Sequence, residues 1–126
     1  MEFPAELKYT KEHEWIRIDG DTGTIGITDF AQSELGDVVF VELPAVGDAV
    51  TKDATFGTIE AVKAVSDLYA PISGEVIEVN PAVSDTPELI NKEPYGEGWM
   101  LKIRIANRDE LGSLLDVAGY QGLTGT

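Results

Sequence analysis

Phe56-Gly57-Thr58-Ile59-Glu60-Ala61-Val62-Lys63-Ala64-Val65-Ser66-Asp67-Leu68-Tyr69-Ala70-Pro71 reads as two strands joined by a tight turn, with Lys63 at its tip. The first arm alternates, with Phe56, Thr58, Glu60 and Val62 on one face and Gly57, Ile59 and Ala61 on the other, which is the period of a strand. The second arm runs from Val65 to Ala70 and stops at Pro71, which has no N–H to donate to a ladder. The turn itself, Val62-Lys63-Ala64, contains no Gly, Asn or Pro, and Lys is not a turn former by its chemistry. Lys63 is then either a solvated surface charge or a covalent attachment point. A primary amine on a flexible four-carbon stem can be acylated with loss of its charge, and a protruding hairpin gives a modifying enzyme access.

Around that hairpin the chain is short and acidic. Its 126 residues suffice for one domain with a real core. Thirteen glycines and six prolines favour many short strands. Nine basic residues against 23 acidic ones leave a net charge of −14, which argues against nucleic acid and anionic membrane as partners. No stretch is apolar for long enough to span a bilayer. The start, Met1-Glu2-Phe3-Pro4, shows no secretory or transit leader, so a bacterial cytoplasmic protein is expected, or a mitochondrial one only if a leader has been removed. With no cysteine there are no disulfides or thiolate metal sites, and a lone histidine, His13, cannot build a metal site or a supported catalytic triad. His13 is expected to be a surface or structural residue. No base, nucleophile and oxyanion constellation is visible, so the chain is not expected to be an enzyme.

Taken in order, Leu7 to Ile18 ends as a strand, Asp19-Gly20-Asp21 is a turn, and Thr24 to Ile27 is a second strand. Thr28 to Gly36 reads as a short helix with Thr28 as N-cap, Gly36 just past its end, and Phe30, Ala31 and Leu35 toward the core. Gly36-Asp37-Val38-Val39-Phe40-Val41-Glu42-Leu43-Pro44-Ala45-Val46-Gly47-Asp48 then recurs, with one gap, as Gly74-Glu75-Val76-Ile77-Glu78-Val79-Asn80-Pro81-Ala82-Val83-Ser84-Asp85. Two copies fit a pseudo-two-fold domain rather than a solenoid. Lys92, in a Pro/Gly-rich loop without strand pattern, serves as a contrast to Lys63. Trp99 to Ile105 alternates, with Trp99, Leu101, Ile103 and Ile105 opposed to Met100, Lys102 and Arg104. From the N-cap Asn107, the spacing of Leu111, Leu114 and Leu115 predicts an amphipathic helix that stops near Gly119, with a possible further turn at Tyr120 and fraying from Gly122 to Thr126. The pattern gives a small, mainly β domain with a short helix after the N-terminal hairpin and a C-terminal helix. It spans 1–126, with a core at about 15–105 and a C-terminal helical segment at about 107–120.

Four blocks in order carry a resemblance: Tyr9-Thr10-Lys11-Glu12-His13-Glu14-Trp15-Ile16; Gly26 to Gln32 with Leu35 to Pro44; Glu60 to Asp67 with Ala70-Pro71-Ile72-Ser73-Gly74-Glu75-Val76; and Asn91 to Trp99. Together they resemble the glycine cleavage system H proteins over nearly the whole chain. The family more often has Ser where Ala61 stands, and often carries His near Phe30 and Glu34, where this chain has none. The resemblance implies a barrel-sandwich hybrid of the lipoyl/biotinyl type and a carrier rather than an enzyme. Lys63 would bear lipoic acid through an amide. The carrier would take an aminomethyl group from glycine decarboxylase to the tetrahydrofolate-dependent aminomethyltransferase, and its dithiol to dihydrolipoamide dehydrogenase, as a monomer first loaded by a lipoate-attaching enzyme. Residues matching Glu14 and Asp67 would receive the cationic, hydrolysable cargo when the arm folds back. A biotin carrier is disfavoured because Val62 and Ala64, not two Met residues, flank the Lys. An H-like carrier for lipoate relay or another pathway is the nearest alternative.

Overall fold

Strand periodicity in this chain closes into two antiparallel sheets, seen in a computed structural model that describes residues 2–125. In chain order the elements are β1 (Lys8–Tyr9), β2 (Glu14–Asp19), β3 (Thr22–Ile27), α1 (Asp29–Leu35), β4 (Val38–Glu42), β5 (Ala49–Val50), β6 (Thr55–Ala61), β7 (Val65–Tyr69) and β8 (Gly74–Val79). They continue with α2 (Pro81–Asp85), α3 (Leu89–Lys92), β9 (Leu101–Ile105), a 3-10 segment (Arg108–Ser113) and α4 (Val117–Thr124). One sheet has the order β1-β2-β3-β9-β8-β5 and the other β4-β6-β7.

The alternating residues meet between the sheets. Ile25 and Ile27 of β3, Val41 of β4, Ile59 of β6, Leu68 of β7, Val76 of β8 and Leu101 and Ile103 of β9 belong to one buried cluster. Each such side chain contributes roughly 1.5–3 kcal/mol by leaving water. β2 is buried on both faces, which hides its alternation. Ile16 joins the main core, while Trp15 joins a second cluster with Leu7, Tyr9 and Tyr120. Trp15 lies so close over Gly26, its cross-strand partner, that a Cβ there would sit 2.7 Å from the indole ring. The indole N–H donates to Pro94 O at 2.9 Å, tying β2 to the loop after α3.

Three expectations change. The first concerns the C-terminus, where one helix beginning at Asn107 is replaced by a 3-10 segment and then α4. Asn107 does cap the first, accepting from Asp109 N. Leu114 is then extended (φ −78°, ψ 152°), and Asp116 caps α4 by accepting from Gly119 N. Gly119 is therefore in the first turn of a helix, not at its stop. The chain leaves the helix at Gly125, whose φ of 77° suits glycine, so residues expected to fray are helical through Thr124. Thr126 lies outside the described residues. The second concerns Met100, which is fully buried in the main core instead of facing outward. The strand begins only at Leu101, and Trp99 is partly buried against the second cluster, with Lys102 Nζ 5.1 Å from its ring centroid. The third concerns the repeat. Its strand halves, β4 and β8, fall in opposite sheets as two similar halves would. Its Pro-Ala-Val tails diverge: Val46 is exposed in a turn closed by Asp48, whereas Val83 is buried in α2.

Candidate functional site

The hairpin tip is built as read. Glu60 and Val65 are the last paired residues of β6 and β7. Beyond them Ala61 N donates to Ala64 O at 2.7 Å, leaving Val62 and Lys63 as a two-residue loop. Neither has a positive φ, so no glycine is needed there. Val62 N donates to Asp37 O at 3.0 Å, which fastens the tip to the start of β4. Lys63 is exposed, and its amine makes no ion pair with any described residue.

The stem of Lys63 runs past Gly36, where a Cβ would lie 3.1 Å from Lys63 Cε. Gly36 ends α1 with φ 82° and ψ −158°, a conformation that only glycine adopts readily. Asn91 fixes this corner. Its side-chain amide donates to Gly36 O at 2.8 Å and to Gln32 Oε1 at 3.1 Å, and its oxygen accepts from Val38 N at 2.9 Å. The neighbouring Lys92 is exposed at the end of α3.

A cleft of about 400 Å³ opens along α1. Ile27 and Ile59 contribute from the core strands, α1 lines one wall with Phe30, Ala31, Glu34 and Leu35, and β7 lines another with Ser66, Asp67 and Leu68. His13 and Glu14, at the start of β2, complete it together with Glu12. The last wall residue of α1, Leu35, is the neighbour of Gly36, so cleft and lysine adjoin.

Glu14 and Asp67 thus share one cleft, but not one environment. Asp67 is exposed. Glu14 is 2% exposed; its Oε1 accepts from the Thr10 hydroxyl at 2.6 Å and its Oε2 from Tyr69 N at 3.3 Å. Burial raises its pKa from 4.5 to about 8, against the lowering effect of those two hydrogen bonds. Below that pH Glu14 is a neutral acid in this cleft.

His13 and Phe30 were missed as cleft residues. His13 is half-buried, with a φ of 71°, and its ring lies 4.8 Å from that of Phe30. Burial lowers its pKa below 6.5. It is structural, as expected, and also a wall. A lone His gives no sign of this, and Phe30 sits on the helix face that periodicity assigns to the core.

Comparison with known proteins fits this geometry. Residues 7–125 match the family model described as glycine cleavage H-protein. The chain belongs to the glycine cleavage H-protein family. A glycine cleavage system H protein of Bacteroides fragilis is 54% identical, with 98% of both chains covered. One of Symbiobacterium thermophilum is 59% identical over 96% of this chain and 94% of its own. The crystal structure of a glycine cleavage system H protein from Mycobacterium marinum superposes with a TM-score of 0.88 at 40% identity, covering 98% of this chain and 100% of that one. The barrel-sandwich fold expected from the resemblance therefore holds. This H-protein family member is a lipoyl-carrying shuttle in glycine cleavage and not a catalyst, and it works with the enzymes of that pathway. Among the described residues no helix is long and apolar enough to cross a membrane.

Proposed function

We propose that Lys63 carries the lipoyl group as an amide on Nζ and that the cleft along α1 shelters the cargo between enzymes. The observation that carries this reading is the adjacency of an exposed, ion-pair-free amine at a strand reversal to a cleft with apolar walls and four acidic residues, Glu12, Glu14, Glu34 and Asp67. When bound, lipoate supplies the reactive sulfurs that a chain without cysteine lacks. The chain's own residues bind and shield. The backbone ties at Ala61, Ala64 and Val62 hold the attachment point clear of the sheet. Ile27, Phe30 and Leu35 exclude water from whatever rests beside them. Glu14 and Asp67 attract a cationic amine, Asp67 at the exposed rim and Glu14 from the interior. Arrival of a cation favours ionised Glu14, so its proton leaves as the amine enters.

On this reading the partners are glycine decarboxylase, the aminomethyltransferase, dihydrolipoamide dehydrogenase and a lipoate-attaching enzyme. The chain acts as one monomeric carrier domain in the bacterial cytoplasm. Mass spectrometry of intact protein and peptides after expression with lipoate should find one lipoyl addition, on Lys63, absent from Lys63→Arg. The loaded protein should support glycine–bicarbonate exchange with the decarboxylase. Lipoate elsewhere on the chain refutes the assignment.

A further inference from the structure

α4 lies outside the cleft, yet its one fully buried side chain reaches the wall. Tyr120 stacks on Tyr9 with ring centroids 4.7 Å apart and meets Phe3 edge-on at 5.1 Å. Its hydroxyl lies 2.7 Å from Thr28 Oγ1 and 2.8 Å from His13 Nδ1. Thr28 is the N-cap of α1: its Oγ1 accepts from Ala31 N at 3.2 Å, and its own backbone N donates to His13 O at 3.0 Å. The hydroxyl therefore stands where β2 and α1, two walls of the cleft, meet.

Donor counting settles the direction of this chain of bonds. Thr28 is fully buried and its oxygen already accepts from Ala31. Its hydroxyl proton needs an acceptor, and the Tyr120 oxygen is the one in reach. Tyr120 must then give its own proton to His13 Nδ1, which leaves the His13 proton on Nε2. The reverse direction strands the Thr28 proton in the interior. A phenol whose pKa burial raises to about 12 remains a donor throughout the physiological range.

We infer that the Tyr120 hydroxyl is a positioning group for the carrier cleft: it fixes His13 in the Nε2–H form and ties the first turn of α1 to β2, so that the C-terminal helix sets the wall facing the cargo. This rests on the cleft being the resting place proposed above. Tyr120→Phe removes one oxygen and keeps the stacked ring. In the unmodified chain, two-dimensional proton–nitrogen NMR of the His13 ring should show the Nε2–H tautomer alone, and in Tyr120→Phe a mixture. Amide exchange at Ala31 should accelerate several-fold in the same variant. Tyr9→Phe deletes a neighbouring hydroxyl that bonds Pro4 O instead, and should behave as wild type in both measurements. In the loaded protein, Tyr120→Phe should shorten cargo retention several-fold with the extent of lipoylation unchanged. Unaltered tautomer and exchange in Tyr120→Phe overturn the inference, as does unaltered retention in a chain that loads normally. A chain that fails to load at Lys63 overturns the reading of Lys63 instead, and the two measurements on the unmodified chain still decide the role of the hydroxyl.

Discussion

Glu14→Gln should make this protein more stable at pH 8 and leave it nearly unchanged at pH 5. The folded chain holds the Glu14 proton up to a pKa of about 8, against an ordinary value of 4.5. Once the chain unfolds, the carboxyl releases that proton at the lower pH. The folded state thus binds more protons between these limits, so stability falls as pH rises through the window. Each unit of displacement is worth about 1.4 kcal/mol, which gives up to roughly 5 kcal/mol lost across the whole interval. Gln is the neutral isostere: its carbonyl can accept from the Thr10 hydroxyl as Glu14 Oε1 does, and its NH2 then stands in place of Oε2, giving up the 3.3 Å bond from Tyr69 N. At pH 5, where Glu14 is neutral, the pair should differ by no more than about 1 kcal/mol, the net worth of one hydrogen bond. Urea unfolding followed by fluorescence of the two tryptophans, Trp15 and Trp99, at pH 5, 6, 7 and 8 measures the difference directly. Other carboxylates titrate alike in both proteins and cancel. A gap that does not widen in favour of Gln above pH 6 refutes the reasoning about burial. The same substitution should shorten cargo retention without reducing lipoylation, because a neutral amide cannot become the anion that a cation selects.

Two further substitutions test the surroundings. Gly36→Ala places a side chain in a glycine-only conformation and a methyl against the Lys63 stem; it should cost about 1–3 kcal/mol in thermal or urea unfolding and slow lipoylation of Lys63. His13 has a lowered pKa because of burial, so its neutral form is favoured in the fold and its contribution is lost as pH falls below 6.5. His13→Asn tolerates the left-handed backbone and removes the titration; stability curves of the two proteins should converge on acidification, and parallel curves would count against a buried neutral ring.

The parts legible in the sequence were those set by neighbours in the chain. Period-two alternation placed β6 and β7, and Thr28 with Gly36 bracketed α1, because strand faces and helix caps are chosen within a few residues. The C-terminus misled for the same reason. Leu111, Leu114 and Leu115 have helical spacing, but they reach the core from a 3-10 segment and an extended residue, and Leu115 pairs instead with Tyr9 through two backbone bonds of 2.8 Å. That long-range bridge overrides local periodicity, and Asp116 can start a new helix only after it. Met100 was misassigned because its backbone N bonds Ile25 O ahead of the β9 ladder, so the strand begins at Leu101, two residues later than the pattern suggested.

The cleft shows why the hairpin pattern could single out Lys63 and still say little about what surrounds it. The proposed role of Lys63 rests on exposure, and exposure at a strand reversal can be read from a short stretch of sequence. The proposed role of Glu14 rests on a shift of its pKa, and that shift arises from burial under separate elements brought over it, against the opposing hydrogen bonds from Thr10 and Tyr69. In isolation Glu14 is a carboxylate like the chain's other acidic residues, and only enclosure makes it hold its proton to a higher pH. The proposed shelter draws on both kinds of residue: an amine free enough to be modified and visited, and an acid buried enough that meeting the cargo would change its charge. The first is a property of the hairpin, the second of the packing between β2, α1 and β7. On the proposed roles, this separation is why Glu14→Gln should alter shelter and leave attachment at Lys63 intact.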